Sequence, residues 1–331
     1  MATTKDVPQP IARDPKTRRL FAIAERVAAT EVTVTISGES GSGKEVLARY
    51  LHQRSPRVGG PFVAINCAAI PENMLEALLF GHEKGAFTGA SNSHAGKFEQ
   101  ANSGTLLLDE VSEMDLGLQA KLLRVLQEKE VERIGGTAPI PLDVRVIATT
   151  NRDLKKYVAN GRFREDLYYR LNVFPLHIPA LRDRPGDIMP LAEMALAKHR
   201  IEPEGVVDIA DDARLKLEAY SWPGNVRELE NLIQRSVILL RGNTIAAADL
   251  AFEDDDPPDV EESDLQAGLR NREYQMIIDA LKSMNCRREK VAESLGISPR
   301  TLRYKLARMR ASGIAIPGEA RSAGTGEGVP A

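Results

Sequence analysis

Four short apolar segments, rich in β-branched residues, recur along the first 151 residues. They are VTVTISG (32–38), FVAINC (62–67), TLLLDE (105–110) and VRVIATTN (144–151). Short runs of this kind are typical of strands buried on both faces. Helix-like stretches such as EVLARYLHQR and LQAKLLRVLQE separate them. The alternation predicts an α/β fold, a mostly parallel sheet with flanking helices.

From about residue 187 the pattern predicts helices and no further strand. DIMPLAEMALAKHR, DDARLKLEAY and VRELENLIQRSVILL each carry apolar residues at helical spacing, which indicates a helical subdomain. The stretch AFEDDDPPDVEES (251–263) is acidic and contains prolines, so it predicts a linker. The last residues, PGEARSAGTGEGVPA, are predicted to be disordered.

Composition restricts the class of protein. The chain has 331 residues, 43% hydrophobic and 27% charged, which suits two or three globular domains. No apolar run approaches the roughly 20 residues that span a bilayer, and the start lacks a signal peptide. The two cysteines, Cys67 and Cys286, are far apart. We therefore expect a cytoplasmic protein without membrane contact, disulfide framework or zinc site.

The net charge of −3 hides a basic segment near the C-terminus. Residues 269–312 contain eleven Lys/Arg against four Asp/Glu. A basic end on an otherwise acidic chain indicates nucleic-acid binding.

A glycine-rich loop follows the first predicted strand. Gly38, Gly43 and Lys44 have the G-x-x-x-x-G-K spacing of a P-loop, whose backbone amides bind phosphate while the lysine offsets its charge. Glu45 stands where a P-loop commonly has the Ser or Thr that ligates magnesium.

Two carboxylates follow the third strand, at the sheet edge where α/β folds bind ligands. Asp109 suits Mg²⁺, and Glu110 suits polarisation of an attacking water. Thr150 and Asn151 end the fourth strand and are predicted beside them. With the P-loop, these residues predict hydrolysis of a nucleoside triphosphate.

Three arginines receive no role from spacing alone. Arg164 and Arg170 are six positions apart, about 240° net on a helix, so they do different jobs or the helix is interrupted. Arg227 falls in the first turn of a helix that Asn225 is predicted to cap, with Glu228 three residues after Asn225.

The hexapeptide GAFTGA, residues 85–90, is predicted to form a flexible tip because glycines bracket it. A bulky Phe87 on such a tip either folds back into the core or is held out for a partner.

The segment CRREKVAESLGISPRTLRYKLARMR predicts two helices around a tight turn. Gly296 is placed to end the first helix, and Ser298 with Pro299 to start the second. A plain basic hairpin is the alternative to a DNA-reading helix. The residues predicted to contact DNA are Ser298, Arg300, Thr301, Arg303, Tyr304 and Lys305.

The motifs together resemble one family. GESGSGKE, GAFTGA, GTLLLDE, FREDLYYRL, LRDRPGDI and WPGNVRELEN are similar to the central ATPase domain of sigma-54-dependent transcriptional activators, members of the AAA+ superfamily. The resemblance runs from about residue 10 to 245 and continues in a Fis-type helix-turn-helix. It implies an AAA+ P-loop NTPase fold with a helical lid subdomain and an all-α DNA-binding domain.

The resemblance also assigns roles to residues. The Walker A loop would be Gly38, Glu39, Ser40, Gly41, Ser42, Gly43, Lys44 and Glu45, and in this family a Glu after the lysine is normal. Asp109 and Glu110 would form Walker B, and Asn66 would be a switch residue that holds Glu110. Sensor I would be Thr150 and Asn151. The arginine fingers that reach a neighbouring subunit would be Arg164 and Arg170, and sensor II would be Arg227.

The partners implied are ATP with Mg²⁺, the sigma-54 RNA polymerase holoenzyme, upstream activating DNA and further copies of the chain, in a hexameric ring built from dimers. The sigma-54 contact would be the tip Gly85, Ala86, Phe87, Thr88, Gly89 and Ala90. Two other functions stay open: a DNA-binding regulator that only senses nucleotide, and a replication initiator or helicase loader.

The expected domains follow from the motifs. They are an N-terminal tail (1–10), an α/β ATPase subdomain (11–178), a helical lid (179–246), an acidic linker (247–268), the helix-turn-helix (269–312) and a disordered tail (313–331). No receiver domain precedes the ATPase region in this sequence, so we expect either control by a separate protein or a shortened version of a longer chain.

Overall fold

The structure, a computed structural model, describes residues 10–87, 89–199, 208–240 and 242–252, with Ile278, Leu281 and Val291 as single positions. The chain divides into two units, Met1–Phe252 and Glu253–Ala331. The part of the predicted linker beyond residue 252, the predicted helix-turn-helix contacts, the C-terminal tail and Thr88 lie outside the described residues. The predicted start of the linker at residue 247 is wrong, because Leu250 and Phe252 are buried in the apolar core of the helical part.

A five-stranded parallel sheet forms the centre of the first unit. Its strands are Val34–Ser37 (β1), Phe62–Asn66 (β2), Thr105–Asp109 (β5), Arg145–Thr150 (β8) and Phe174–His177 (β9). Their order across the sheet is β2-β5-β8-β1-β9. The four predicted strands are confirmed. The fifth, FPLH, is short and broken by a proline, and at the sheet edge its lost donor is tolerated.

Three small two-stranded pairs accompany the main sheet. They are Gly81–His82 (β3) with His94–Ala95 (β4), Glu130–Val131 (β6) with Ile140–Pro141 (β7), and Asp208–Ile209 (β10) with Thr244–Ile245 (β11). The last pair lies beyond residue 187, so the prediction that no strand follows that point is wrong. Two residues per strand are too few to show an apolar alternation.

Helices lie along the sheet and continue into the helical part. They are Pro15–Ala28 (α1), Lys44–Gln53 (α2), Glu72–Phe80 (α3), Lys97–Gln100 (α4), Leu116–Glu128 (α5), Leu154–Ala159 (α6), Glu165–Leu171 (α7), Ile188–His199 (α8), Asp211–Ala219 (α9) and Asn225–Leu239 (α10). Local chemistry starts several of them: Asp14 caps α1, with Pro15 in its first turn, and Asp115 caps α5. None of the described helices is long and apolar enough to cross a membrane.

The sheet is buried on both faces because successive side chains of a strand point to opposite sides. Leu106 and Leu108 join the core cluster that includes α3 and α5, whereas Leu107 joins Ile36 and Leu47 on the side of α1 and α2. A separate apolar cluster holds the helical part together around Trp222. The carboxyl ends of the strands stay free of this packing and carry the polar residues of the site.

Candidate active site

The loop between β1 and α2 has the shape of a phosphate cradle. Gly41 and Gly43 have φ of 74° and 102°, which side chains other than glycine rarely adopt. A Cβ at Gly41 would lie 2.4 Å from the carbonyl oxygen of Gly224, so the loop and the helical part approach backbone to backbone. The Val226 amide completes this contact by donating to Gly41 O at 3.0 Å.

Lys44, the first residue of α2, points back along its own loop. Its Nζ donates to the carbonyl oxygens of Gly38 at 3.0 Å and Glu39 at 3.2 Å, and it lies 3.2 Å from Oε1 of Glu110. Only 6% of Lys44 is exposed, so this pairing is poorly screened by solvent. The structure thus brings the P-loop lysine and the second carboxylate together.

The two carboxylates at the end of β5 are held by Thr149, which the sequence reasoning missed. The Thr149 hydroxyl donates to Oδ1 of Asp109 and accepts from the Glu110 amide at 3.1 Å. Glu110 has φ 54° and ψ 51°, a left-handed conformation that is strained for a side chain of its size. In the sequence, the sign of this role is the Thr149–Thr150 pair near the end of the fourth predicted strand.

Asn66 lies beside Asp109 and does not contact Glu110. Its Nδ2 donates to Oδ2 of Asp109 at 2.9 Å, and its Oδ1 accepts from the amides of Ala68 and Ala69. The expectation that Asn66 holds Glu110 is therefore wrong for this structure. The reason is register: Asn66 and Asp109 are directly paired on adjacent parallel strands. The left-handed turn at Glu110 directs its carboxylate away from them, towards Lys44.

The end of β8 supplies further polar contacts. The Asn151 amide donates to Oε2 of Glu110 at 3.0 Å, while its side chain is exposed. Thr150 is buried, and its hydroxyl donates to Ser112 at 3.0 Å. Asn151 therefore contacts a carboxylate through its backbone, whereas the Thr150 hydroxyl bonds to Ser112 and to the backbone of Arg152.

Asn225 does not cap α10 as predicted. Gly224 occupies the cap position, and Oε2 of Glu228 accepts from its amide at 2.7 Å. Asn225 is fully buried, with φ 54°; its Oδ1 accepts from the Leu181 amide and its Nδ2 donates to Glu39 and to Ser40 O. The Asn225 side chain therefore bonds to the phosphate-binding loop and to Leu181, and not to the amides of its own helix.

The helical part contributes arginines to the loop. Arg227 is exposed, and its Nη1 lies 3.3 Å from the Ser40 hydroxyl. Arg182 pairs with the Glu39 carboxylate through two hydrogen bonds. The hydrogen bonds from Arg182 and Asn225 lower the pKa of Glu39 below its ordinary value. Arg184 donates to Ser42 O at 2.6 Å. Only the LRDRPGDI motif signalled Arg182 and Arg184 in the sequence.

Of the two predicted finger arginines, only Arg170 lies within α7, because the helix begins at Glu165. Arg164 precedes α7, and its guanidinium pairs with Asp166 at 2.7 Å. Arg170 lies in the last turn and donates to Leu126 O at 2.6 Å. Both side chains are exposed. Glu45 also points outward, paired with Arg49 on the surface of α2.

The described residues of the tip, 85–87 and 89–90, continue from the β3 strand of the β3–β4 pair, and Gly85 and Ala90 are joined by a backbone hydrogen bond. Gly85 and Gly89 have φ of 85° and 107°, and the Gly85 amide donates to Ala90 O at 2.8 Å. Phe87 is 46% exposed, and the centre of its ring lies 5.0 Å from that of His82. Phe87 thus contacts His82 and leaves about half of its surface open to solvent.

The residues present fit a magnesium nucleoside triphosphate. The Ser42 hydroxyl is buried without a hydrogen-bond partner beside the glycine-lined loop, and Lys44 supplies a positive charge. The oxygen atoms of Asp109 and Thr149 are hard ligands of the kind Mg²⁺ prefers.

Three family models match successive parts of the chain. They describe a sigma-54 interaction domain at residues 11–177, an AAA+ ATPase lid domain at 182–266 and a bacterial regulatory protein of the Fis family at 268–309. The first of these covers half of the chain. The chain belongs to the sigma-54-dependent transcriptional activators.

Similar proteins agree with this assignment. The response regulator protein FleR of Pseudomonas aeruginosa is 56% identical over 93% of this chain and 71% of its own length. The transcriptional regulatory protein FlbD of Caulobacter vibrioides is 47% identical over 96% of this chain and 73% of its own. The crystal structure of NtrX from Brucella abortus in complex with ATP covers 92% of this chain and 69% of NtrX, with a TM-score of 0.69 and 35% identity.

As a sigma-54-dependent activator, the chain is an AAA+ ATPase that binds nucleotide and carries a helix-turn-helix DNA-binding domain. The family predicted from the motifs and the AAA+ fold are confirmed. The replication-initiator alternative is excluded, since the sigma-54 interaction domain spans the ATPase region.

Proposed function

We propose that this activator couples ATP hydrolysis to remodelling of the sigma-54 RNA polymerase closed complex through the tip at residues 85–90. The observation that carries the proposal is the half-exposed ring of Phe87 on a glycine-flanked turn. A solvent-facing aromatic side chain offers apolar contact to a partner, and Thr88 beside it offers a hydroxyl. The flanking glycines allow the turn to change conformation.

The residues of the site have distinct proposed tasks. The backbone of Gly38–Lys44 binds phosphate oxygens, and the Lys44 ammonium offsets their charge. Asp109 holds Mg²⁺, which when bound neutralises charge on the phosphates. Glu110 forms an ion pair with Lys44 and accepts from the Asn151 amide, so its carboxylate is oriented to polarise an attacking water. Asn66 fixes Asp109 from the neighbouring strand.

Assembly completes the site in this proposal. Arg164 and Arg170 are exposed and would act on the nucleotide of an adjacent protomer, as arginine fingers supplied in trans do. Arg227 would contact nucleotide within its own protomer, because it already lies against Ser40. We propose a hexameric ring assembled from dimers, acting in the bacterial cytoplasm.

The DNA-binding domain would anchor this ring at upstream activating sequences. The residues proposed to contact DNA are Ser298, Arg300, Thr301, Arg303, Tyr304 and Lys305. The basic charge of residues 269–312 would make binding weaken steeply with salt.

The proposal is tested by open-complex formation with sigma-54 polymerase on a target promoter. Thr88→Ala is expected to keep ATP hydrolysis and to lower open-complex formation about two- to tenfold, since a neutral hydrogen bond contributes about 0.5–1.5 kcal/mol. Ser91→Ala is the matched control, because Ser91 is an exposed hydroxyl just outside the hexapeptide.

Normal open-complex formation by Thr88→Ala would contradict the role of the tip. Absence of open-complex formation by the wild type, despite ATP turnover, would favour a DNA-binding regulator that does not act on sigma-54.

A further inference from the structure

Arg184 is a buried arginine that contacts the backbone of the phosphate-binding loop. It lies between the short turns Leu181–Asp183 and Pro185–Asp187, where the chain enters the helical part. Only 6% of it is exposed, and its Nη2 donates to Ser42 O at 2.6 Å. Burying a guanidinium is costly unless its hydrogen bonds are well made, so this contact needs a reason.

A second buried residue holds Arg184 in place. Asp187 is fully buried, and its carboxylate accepts from the amides of Arg13 and Asp14 and from the Thr17 hydroxyl. Its Oδ2 lies 3.9 Å from the Arg184 guanidinium. Burial lowers the pKa of Arg184, but an arginine stays charged at neutral pH even so. The Arg184 charge thus lies near a carboxylate that the start of α1 holds in position.

The Ser42 carbonyl belongs to the same peptide group as the Gly43 N–H. In a planar trans peptide the C=O and the next N–H point in opposite directions. Holding the Ser42 oxygen therefore fixes the direction of the Gly43 N–H. Gly43, with φ 102°, is the N-cap of α2, where free backbone N–H groups bind anions. A peptide that precedes glycine is easily turned over, since glycine accepts either sign of φ.

We propose that Arg184 is a positioning residue for nucleotide binding: by holding Ser42 O it keeps the Gly43 N–H directed into the phosphate cradle. The inference rests on the proposed nucleotide site at residues 38–45. Arg184 itself contacts the outer side of the loop backbone, so it acts through the Ser42–Gly43 peptide.

Arg145 provides a matched control. It is also a buried arginine, 1% exposed, that donates to two backbone carbonyls, those of Val27 and Ala28. Both arginines have an Nε without a hydrogen-bond partner. The carbonyls that Arg145 holds belong to the end of α1, so its loss removes the same kind of buried contact without touching the loop.

The test is ADP binding to the full chain by titration calorimetry, with thermal unfolding measured in parallel. Arg184→Met and Arg145→Met are both expected to lower Tm. Arg184→Met is expected to weaken ADP binding about tenfold or more, and Arg145→Met to leave it within about twofold. Arg184→Lys, which retains a donor, is expected to recover part of the affinity. Peptides covering residues 38–47 should exchange amide hydrogens faster in Arg184→Met only.

Wild-type affinity in Arg184→Met, or an equal loss in Arg145→Met, would overturn the positioning role. Should Arg184→Met not fold, Arg184→Lys decides: wild-type affinity rejects the inference, and about threefold weaker binding at unchanged Tm supports it.

Lys44→Ala separates the two proposals. If it binds ADP normally, the phosphate site itself is wrong; if it fails to bind, the Arg184 variants test positioning alone.

Discussion

Single residues at the carboxyl ends of the strands control the chemistry. Asp109 and Glu110 are adjacent in sequence but face different partners, because Glu110 is left-handed and Asp109 is not. Adjacent acids after an apolar run were enough to predict the pair. Nothing in a linear pattern reveals a positive φ at a glutamate, so the partner of Asn66 was assigned wrongly.

Thr149 is the residue whose loss tests this arrangement, because one hydroxyl joins both acids. Thr149→Val should lower kcat about tenfold while the affinity for ATP stays within about twofold, since Thr149 orients carboxylates and bears no charge. Steady-state hydrolysis and ADP titration measure the two quantities.

Thr35→Val is the control for losing a buried threonine hydroxyl from the same sheet, because Thr35 donates to Leu171 O. A kcat reduced equally in both variants would show that Thr149 acts only through stability.

At the scale of elements, the sequence predicts best where a segment is long and uniform. The four strands predicted from the sequence and the long helices have clear apolar patterns, and all are present. The edge strand Phe174–His177 was not predicted because tertiary contacts decide it: β9 makes its strand hydrogen bonds to β1. The contact between the loop and α10 likewise joins residues far apart in the chain.

The close approach of the P-loop to α10 gives an element-scale prediction. Gly41→Ala should lower the free energy of unfolding by about 1–3 kcal/mol and weaken ADP binding, because φ is positive and the new Cβ would meet Gly224 O. Gly59→Ala is the control, since a Cβ at Gly59 meets nothing within 4 Å. Chemical denaturation of both variants compares them, and matching stabilities would refute the close contact.

At the scale of the whole molecule, the proposed fingers point outward and need a neighbour. Arg164 is held by Asp166 on the surface, and it lowers the pKa of that carboxyl. The motif in which Arg164 and Arg170 lie was recognisable from the sequence. Their separation by the start of α7 was left open there, because helix ends are set by packing.

Mixing two inactive variants tests the assembly. Glu110→Gln keeps Arg164 but loses the proposed base, and Arg164→Ala keeps Glu110 but loses the finger. Each alone should hydrolyse ATP at least about 100-fold more slowly than wild type. An equimolar mixture should regain measurable turnover, because some interfaces then combine an intact Glu110 with a partner's intact finger. Co-assembly confirmed by co-elution, with no recovery of turnover, would place the finger in its own protomer.

The buried carboxylate of Asp187 sets a limit on how this family can exchange modules. Its three donors, the amides of Arg13 and Asp14 and the Thr17 hydroxyl, all precede or open the first helix. A recombination junction upstream of residue 13 keeps every donor. A junction after residue 17 that brings unrelated sequence would remove the Thr17 hydroxyl, one hydrogen bond to a buried carboxylate, at a cost of about 1.5–3 kcal/mol. Chimaeras joined just upstream of Arg13 should therefore be more stable than chimaeras joined after Thr17.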